Sequence, residues 1–189
     1  MPRLLGLLLA CCSLASTASA QGPGSRFAAL LGGATLSDLD GALHTAASRW
    51  GYTAGVAVGV NTWRTAVALE GNWIQKGAED VRLDYIEVPL TFGAVVLMGR
   101  EGTMRGRIYT GISAAFKVGC SSDIADCDRA EGTEWGWPFG IQVGTSRANG
   151  SFVGLDVRYS FPLSDAFEGT DVSNRTWQFR LMLGKSLGS

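Results

Sequence analysis

The chain has 189 residues, enough for one domain and not comfortably two. Sixteen Lys and Arg stand against seventeen Asp and Glu with no basic cluster, which removes the electrostatic footprint of a nucleic-acid binder. Hydrophobic residues make up 46%, Gly is abundant at 26 and Pro scarce at 5; beyond the N-terminus no run approaches the roughly 20 apolar residues of a membrane-spanning helix.

The N-terminus opens with Met1-Pro2-Arg3, a short basic start, followed by the apolar run 4–10 and the small-residue triplet Ala18-Ser19-Ala20. That order is the pattern of a cleaved secretory signal peptide over 1–20, leaving 21–189 as the folded domain. A second reading stays open: Leu8-Leu9-Ala10-Cys11 resembles a lipobox, which makes Cys11 a lipidated N-terminus.

From there the sequence divides into eight segments with two-residue alternation: 26–36, 51–61, 64–76, 83–98, 105–119, 135–147, 151–163 and 175–187. Several reach or exceed about 10 residues, the length with which a tilted strand crosses a bilayer. Their connections alternate in length. Those at 37–50, 120–134 and 164–174 are long and that at 77–82 is medium, whereas Asn61-Thr62, 99–104 and Asn149-Gly150 are short. Asn-Gly marks a hairpin because both residues tolerate positive φ. Long loops at one end and short turns at the other, with an even strand number, is the arrangement of an outer-membrane barrel. Within 37–50, Leu39, Leu43 and Ala46 or Ala47 fall near helical spacing, so a short helix competes there with a plain loop.

Alternation assigns the faces. In 151–163, Val153, Leu155, Val157, Tyr159, Phe161 and Leu163 oppose Phe152, Gly154, Asp156, Arg158 and Ser160. In 83–98, Ile86, Val88, Leu90, Phe92, Ala94 and Val96 oppose Tyr85, Glu87, Pro89, Thr91 and Gly93. The second face is mostly Gly, Ala, Thr and Ser, too small and too poorly charged to solubilise the outside of a barrel but suited to a cramped lumen. The bulky face then meets lipid. The reading is an all-β, eight-stranded, antiparallel up-and-down transmembrane barrel; the alternative is a soluble, lipocalin-like barrel with the faces reversed. Trp50, Tyr52, Trp63, Trp73, Trp135, Trp137, Tyr159 and Trp177 sit mainly near segment ends, as interfacial aromatic girdles require.

The small-residue face also carries Glu70, Glu87, Asp156, Lys117, Arg158 and Arg180. Isolated charges in a lumen are costly, so these six are expected to pair and fill it. A catalytic or ion-conducting role for Glu70 and Glu87 is the competing reading, and ion-pair networks commonly imitate active sites. Cys120 and Cys127, close together in an exported chain, read as one loop disulfide. No metal site or cofactor is expected, since two cysteines without nearby histidines do not complete a tetrahedral sphere. The single histidine, His44, lies in the first loop beside Asp38 and Asp40 and assembles no Ser/His/Asp constellation.

The stretch 70–94 carries Trp73, Gln75, Lys76 and Gly77, then Tyr85, Ile86, Glu87, Val88, Pro89 and Leu90, followed later by Tyr109 and Gly111. On these residues it resembles the outer-membrane β-barrel domain family that includes PorT-like proteins. The resemblance implies an outer-membrane location and brings no catalytic residues. The C-terminus, Leu187-Gly188-Ser189, lacks the terminal aromatic frequent in such barrels. The expected role is structural or surface-interacting, without catalysis. Outer-membrane lipid, and a surface ligand or envelope protein met through the loops, are the partners. A small channel or a barrel enzyme is the rival.

Overall fold

The computed structural model describes residues 25–40, 48–62, 64–78, 81–98, 104–122, 127, 130, 132–165 and 172–188. The leader 1–20 with Cys11, the candidate helix positions 41–47 with His44, and Trp63 lie outside the described residues.

Eight strands follow in order: β1 (Ser25–Asp40), β2 (Arg49–Asn61), β3 (Thr65–Ala78), β4 (Val81–Met98), β5 (Met104–Ser122), β6 (Thr133–Ser146), β7 (Ser151–Pro162) and β8 (Ser173–Ser186). Each pairs antiparallel with its neighbours in sequence, and β1 pairs with β8 to close the barrel. Closure leaves no sheet edge, so the backbone polar groups of the spanning strands are satisfied by one another. The expected segments coincide with these strands to within a few residues. The strands run furthest past expectation at the long-loop end. β1 continues through residues 37–40, where a loop or helix was expected, and β3 and β4 stay paired to Ala78↔Val81. The turn after β6 also differs in detail. Gly150 donates to the Arg147 carbonyl, and Arg147 to the Ser151 carbonyl. Gly150 takes φ of 80°. The loop is therefore three residues, a turn closed by a left-handed glycine, rather than a two-residue Asn-Gly turn.

Most of the large aliphatic and aromatic side chains point outward, with Leu30, Val58, Leu69, Leu90, Ile112, Ile141, Leu155 and Leu181 each about half exposed. Soluble proteins rarely expose contiguous apolar patches beyond a few hundred Å², and here the band runs around the whole wall. The lipocalin-like alternative needs the reverse orientation and does not describe this molecule. Trp50, Tyr52, Trp73, Trp135, Trp137, Tyr159 and Trp177 all fall on the long-loop half of their strands. The rings touch: Tyr159 lies 4.5 Å from Phe161 and 4.8 Å from Trp177, and Trp177 stacks on Phe179. Among the described residues this belt is one-sided, where girdles at both interfaces were expected.

The lumen is layered along the barrel axis. Toward the long-loop end, Ile74, Val81, Leu83, Tyr85 and Ala115 form an apolar plug, onto which Ala130 and Val172 pack from two of the long connections. The middle is polar and charged. Toward the short turns, Phe27, Ala29, Leu31, Ala57 and Ala68 form a second apolar layer with Phe152 and Met182 against it.

Leu90 pairs with Leu69 and Ile112 on the lipid face, away from either rim. Leu90→Arg should lower unfolding stability by about 2–4 kcal/mol, whereas Tyr52→Arg near the rim should cost about 0–1 kcal/mol. Denaturant unfolding in lipid vesicles checks both values; equal costs would contradict the assigned lipid-facing band.

Candidate functional site

The central layer is built by the strand period. Asp156 and Arg158 are two residues apart on β7 and so share the inner face. Arg180 on β8 is the register partner of Asp156, and Glu70 projects inward from β3 across the lumen. Arg180 grips Asp156 with Nε at 2.7 Å and Nη2 at 2.5 Å and reaches Glu70 with Nη1 at 2.9 Å. Arg158 Nη2 meets the other Glu70 oxygen at 2.5 Å. The Tyr109 hydroxyl, from β5, donates to Asp156 at 2.7 Å and accepts from Arg158 Nε at 2.9 Å. Asn72 donates to Glu70 at 3.0 Å. Four side chains of opposite charge, all essentially without solvent exposure, thus brace β3 against β7 and β8.

Tyr109 holds its position through a glycine. A Cβ added at Gly140 would lie 2.4 Å from the Tyr109 ring and hydroxyl, so β6 must present bare backbone there for the phenol to cross to Asp156.

Of the six charges read from the sequence, Glu70, Asp156, Arg158 and Arg180 come together. Glu87 is fully buried nearby but accepts from the Gln178 amide at 3.4 Å instead of from a cation within salt-bridge distance among the described residues. Lys117 stands apart. Its ammonium donates to the backbone carbonyls of Cys127, at 3.2 Å, and Ala130. It lies beyond the polar layer, opposite Tyr85, where the loop carbonyls are nearer than any inner carboxylate. There it holds Cys127 and Ala130, beside the Cys120–Cys127 disulfide, whose Cα atoms are 5.8 Å apart.

The sequence reading missed four contributors. Tyr109 supplies neutral hydrogen bonds inside the brace, and Gln178 donates to Glu87 beside it. Lys76 and Glu134 form a second buried pair at 3.5 Å, with the Tyr85 hydroxyl donating to Glu134 and the Lys76 ammonium 5.2 Å from the Tyr85 ring centre. The available signal was the alternation Glu134, Gly136, Pro138, which continues β6 back into what was read as loop. Among the described residues, no three His, Cys, Asp or Glu side chains gather as a metal site.

A closed eight-stranded wall with an aliphatic exterior and a charge-braced lumen defines an integral membrane barrel of the outer-membrane type. The chain belongs to the outer membrane protein beta-barrel domain family, which it matches over residues 4–184; the match is to the general domain and singles out no PorT-like branch. Solved structures agree on the fold. The N-terminal β-barrel domain of Pseudomonas aeruginosa OprF is 14% identical with a TM-score of 0.54, over 88% of this chain and 99% of that one. Neisserial surface protein A (NspA) is 12% identical with a TM-score of 0.52, over 84% and 96%. No curated protein sequence matches the chain.

Truncating one member of a buried charge set strands its partner, at about 3–5 kcal/mol. Arg158→Ala should therefore cost that much. The double change Glu70→Gln with Arg158→Met should cost less than the sum of its single changes, because the abandoned charge is removed as well. Denaturant unfolding of the three variants checks this; strict additivity would mean that the pair does not interact. Replacing Cys120 and Cys127 together by Ser should cost at most about 2.5 kcal/mol for so short a loop and leave the heat-resistant, anomalously migrating folded band intact on a gel.

Proposed function

We propose that this protein is a non-conducting outer-membrane scaffold that presents its long-loop end outside the cell as a binding surface and performs no catalysis. The observation that carries the reading is the obstruction of the lumen. The Glu70–Arg180–Asp156–Arg158 brace crosses its middle, and Ala130 and Val172 pack into its outer mouth. A lumen filled in two successive layers leaves the rims as the places where recognition can occur. Loops held on a rigid scaffold commonly carry binding, and here the disulfide and the Lys117 clamp fix one of them at its base. The export signal over 1–20 and cleavage after Ala20 belong to the same proposal, since they deliver the chain to an oxidising compartment in which that disulfide forms.

The connections at the long-loop end hold most of the acidic residues of the sequence, whereas Arg26, Arg64, Arg105, Arg147 and Lys185 flank the short-turn end. A surface ligand or envelope protein with a cationic face fits that polarity. Membrane lipid is the other partner, held by the aliphatic wall.

In planar bilayers the folded protein should show no sustained current, and Glu70→Ala combined with Arg180→Ala should introduce one. A sustained current in the unaltered protein would defeat the scaffold reading in favour of a channel. An epitope inserted at Asp165 should be reached by antibody on intact cells, and one at Asn149 only after permeabilisation; the reverse pattern would overturn the orientation.

A further inference from the structure

The brace closes the lumen from one side only. Between it and the short turns lies a cavity of about 90 Å³, open at one end. Its lining includes Asn61, Val95, Arg105 and Ser146, which stand in the end rungs of their strands beside the short turns. The mouth therefore faces the short-turn, periplasmic side. The cavity has two unlike walls. Phe27, Leu31, Ala57, Phe152 and Met182, from β1, β2, β7 and β8, make one of them apolar. Arg107 and Gln142, from β5 and β6, give the other a cation and a hydrogen-bonding amide.

Arg107 is the unusual member. It is only 7% exposed, yet among the described residues no carboxylate lies within salt-bridge distance of it. Its guanidinium donates to the Thr91 hydroxyl at 2.9 Å and, at 3.4 Å, to the Ala66 carbonyl and the Gln142 amide oxygen. Its Cζ lies 4.9 Å from the centre of the Tyr109 ring, and its Nε has no hydrogen-bond partner among the described residues. The nearest carboxylate in the lining, Glu70, has both oxygens already engaged by Arg158 and Arg180. A buried cation without a counter-ion is costly, and a planar guanidinium is the donor that best matches a carboxylate.

We propose that this vestibule binds a single-chain aliphatic carboxylate of medium length from the periplasmic side, with its head on Arg107 and its chain along the Phe27–Leu31–Ala57–Phe152–Met182 wall. The closed barrel gives no lateral path from the bilayer, so the ligand enters from water through the short-turn end. A free carboxylic acid of moderate solubility meets that requirement and a two-chain phospholipid does not. The site is separated from the outer rim by the brace, so binding there is independent of what the loops recognise; only its periplasmic side rests on the proposed orientation.

The test is a titration of the folded chain in lipid nanodiscs, with methyl-labelled Ala and Met, followed by NMR. Decanoate should produce saturable shifts at Ala57 and Met182, with no comparable shifts at Ala115 in the outer plug. Decyltrimethylammonium, equal in chain and opposite in charge, should bind at least tenfold more weakly. Lysophosphatidylglycerol should fail to compete. Arg107→Gln should weaken decanoate at least tenfold, and Ala57→Phe, which fills the apolar wall and leaves Arg107 intact, should abolish the shifts. Heat-modifiability of each variant verifies its folding, and either variant alone suffices. The proposal is overturned if decanoate shifts none of these methyls, if the cationic homologue binds equally well, or if the folded variants bind as the unaltered protein does. Displacement of decanoate by the lysophospholipid would overturn the free acid as the ligand.

Discussion

In hydrocarbon, a backbone N–H or C=O has nothing but protein to bond with. That constraint shapes this molecule before any side chain is considered. It forces β1 onto β8, removes every edge, and turns the sheet into a tube with an inside. Alternation then sets an aliphatic wall outward and leaves inward the small and polar groups, with apolar layers above and below them. Everything else, including the charge brace, follows from having to fill a narrow interior that water does not freely solvate.

The brace answers that demand. Charges inside so narrow a tube are tolerable only when each is matched in sign and in hydrogen bonds. Arg180 and Asp156 achieve this across adjacent strands, and Glu70 completes it from the opposite wall. Tyr109 contributes without adding charge, and Gly140 clears its path. Because Glu70 reaches Arg158 and Arg180 from β3 across the lumen, the full set meets only when the barrel has closed. The interaction therefore rewards the finished topology over any partial sheet.

Much of this was legible in the sequence, because alternation over ten or more residues survives single-residue noise. The eight segments, their order and the outward aliphatic face follow from period two alone, and four of the six luminal charges meet as charge balance requires. The apolar inner layers were not legible. In β1, Phe27, Ala29 and Leu31 alternate with Ala28 and Leu30, so both faces read as apolar and the period assigns neither. Lys117 was misplaced because parity gives the face and not the depth. Lys76 and Glu134 were hidden by strand ends that run past the lipid-facing pattern, where the outward residues no longer need to be apolar. Arg107 follows Arg105 at the opening of a strand, a position that reads as a solvated edge until the register places it opposite Gln142.

Among the described residues the interfacial aromatic rings gather on the long-loop rim, and that has a mechanical corollary. Indole and phenol groups hold the level of headgroups, so the rim that carries this belt is the more firmly moored of the two. When the bilayer thins or thickens, that rim stays put and the basic far rim absorbs the mismatch, rising or sinking against the opposite leaflet. Such a barrel keeps a constant height of its long-loop end above the bilayer across membranes of differing thickness.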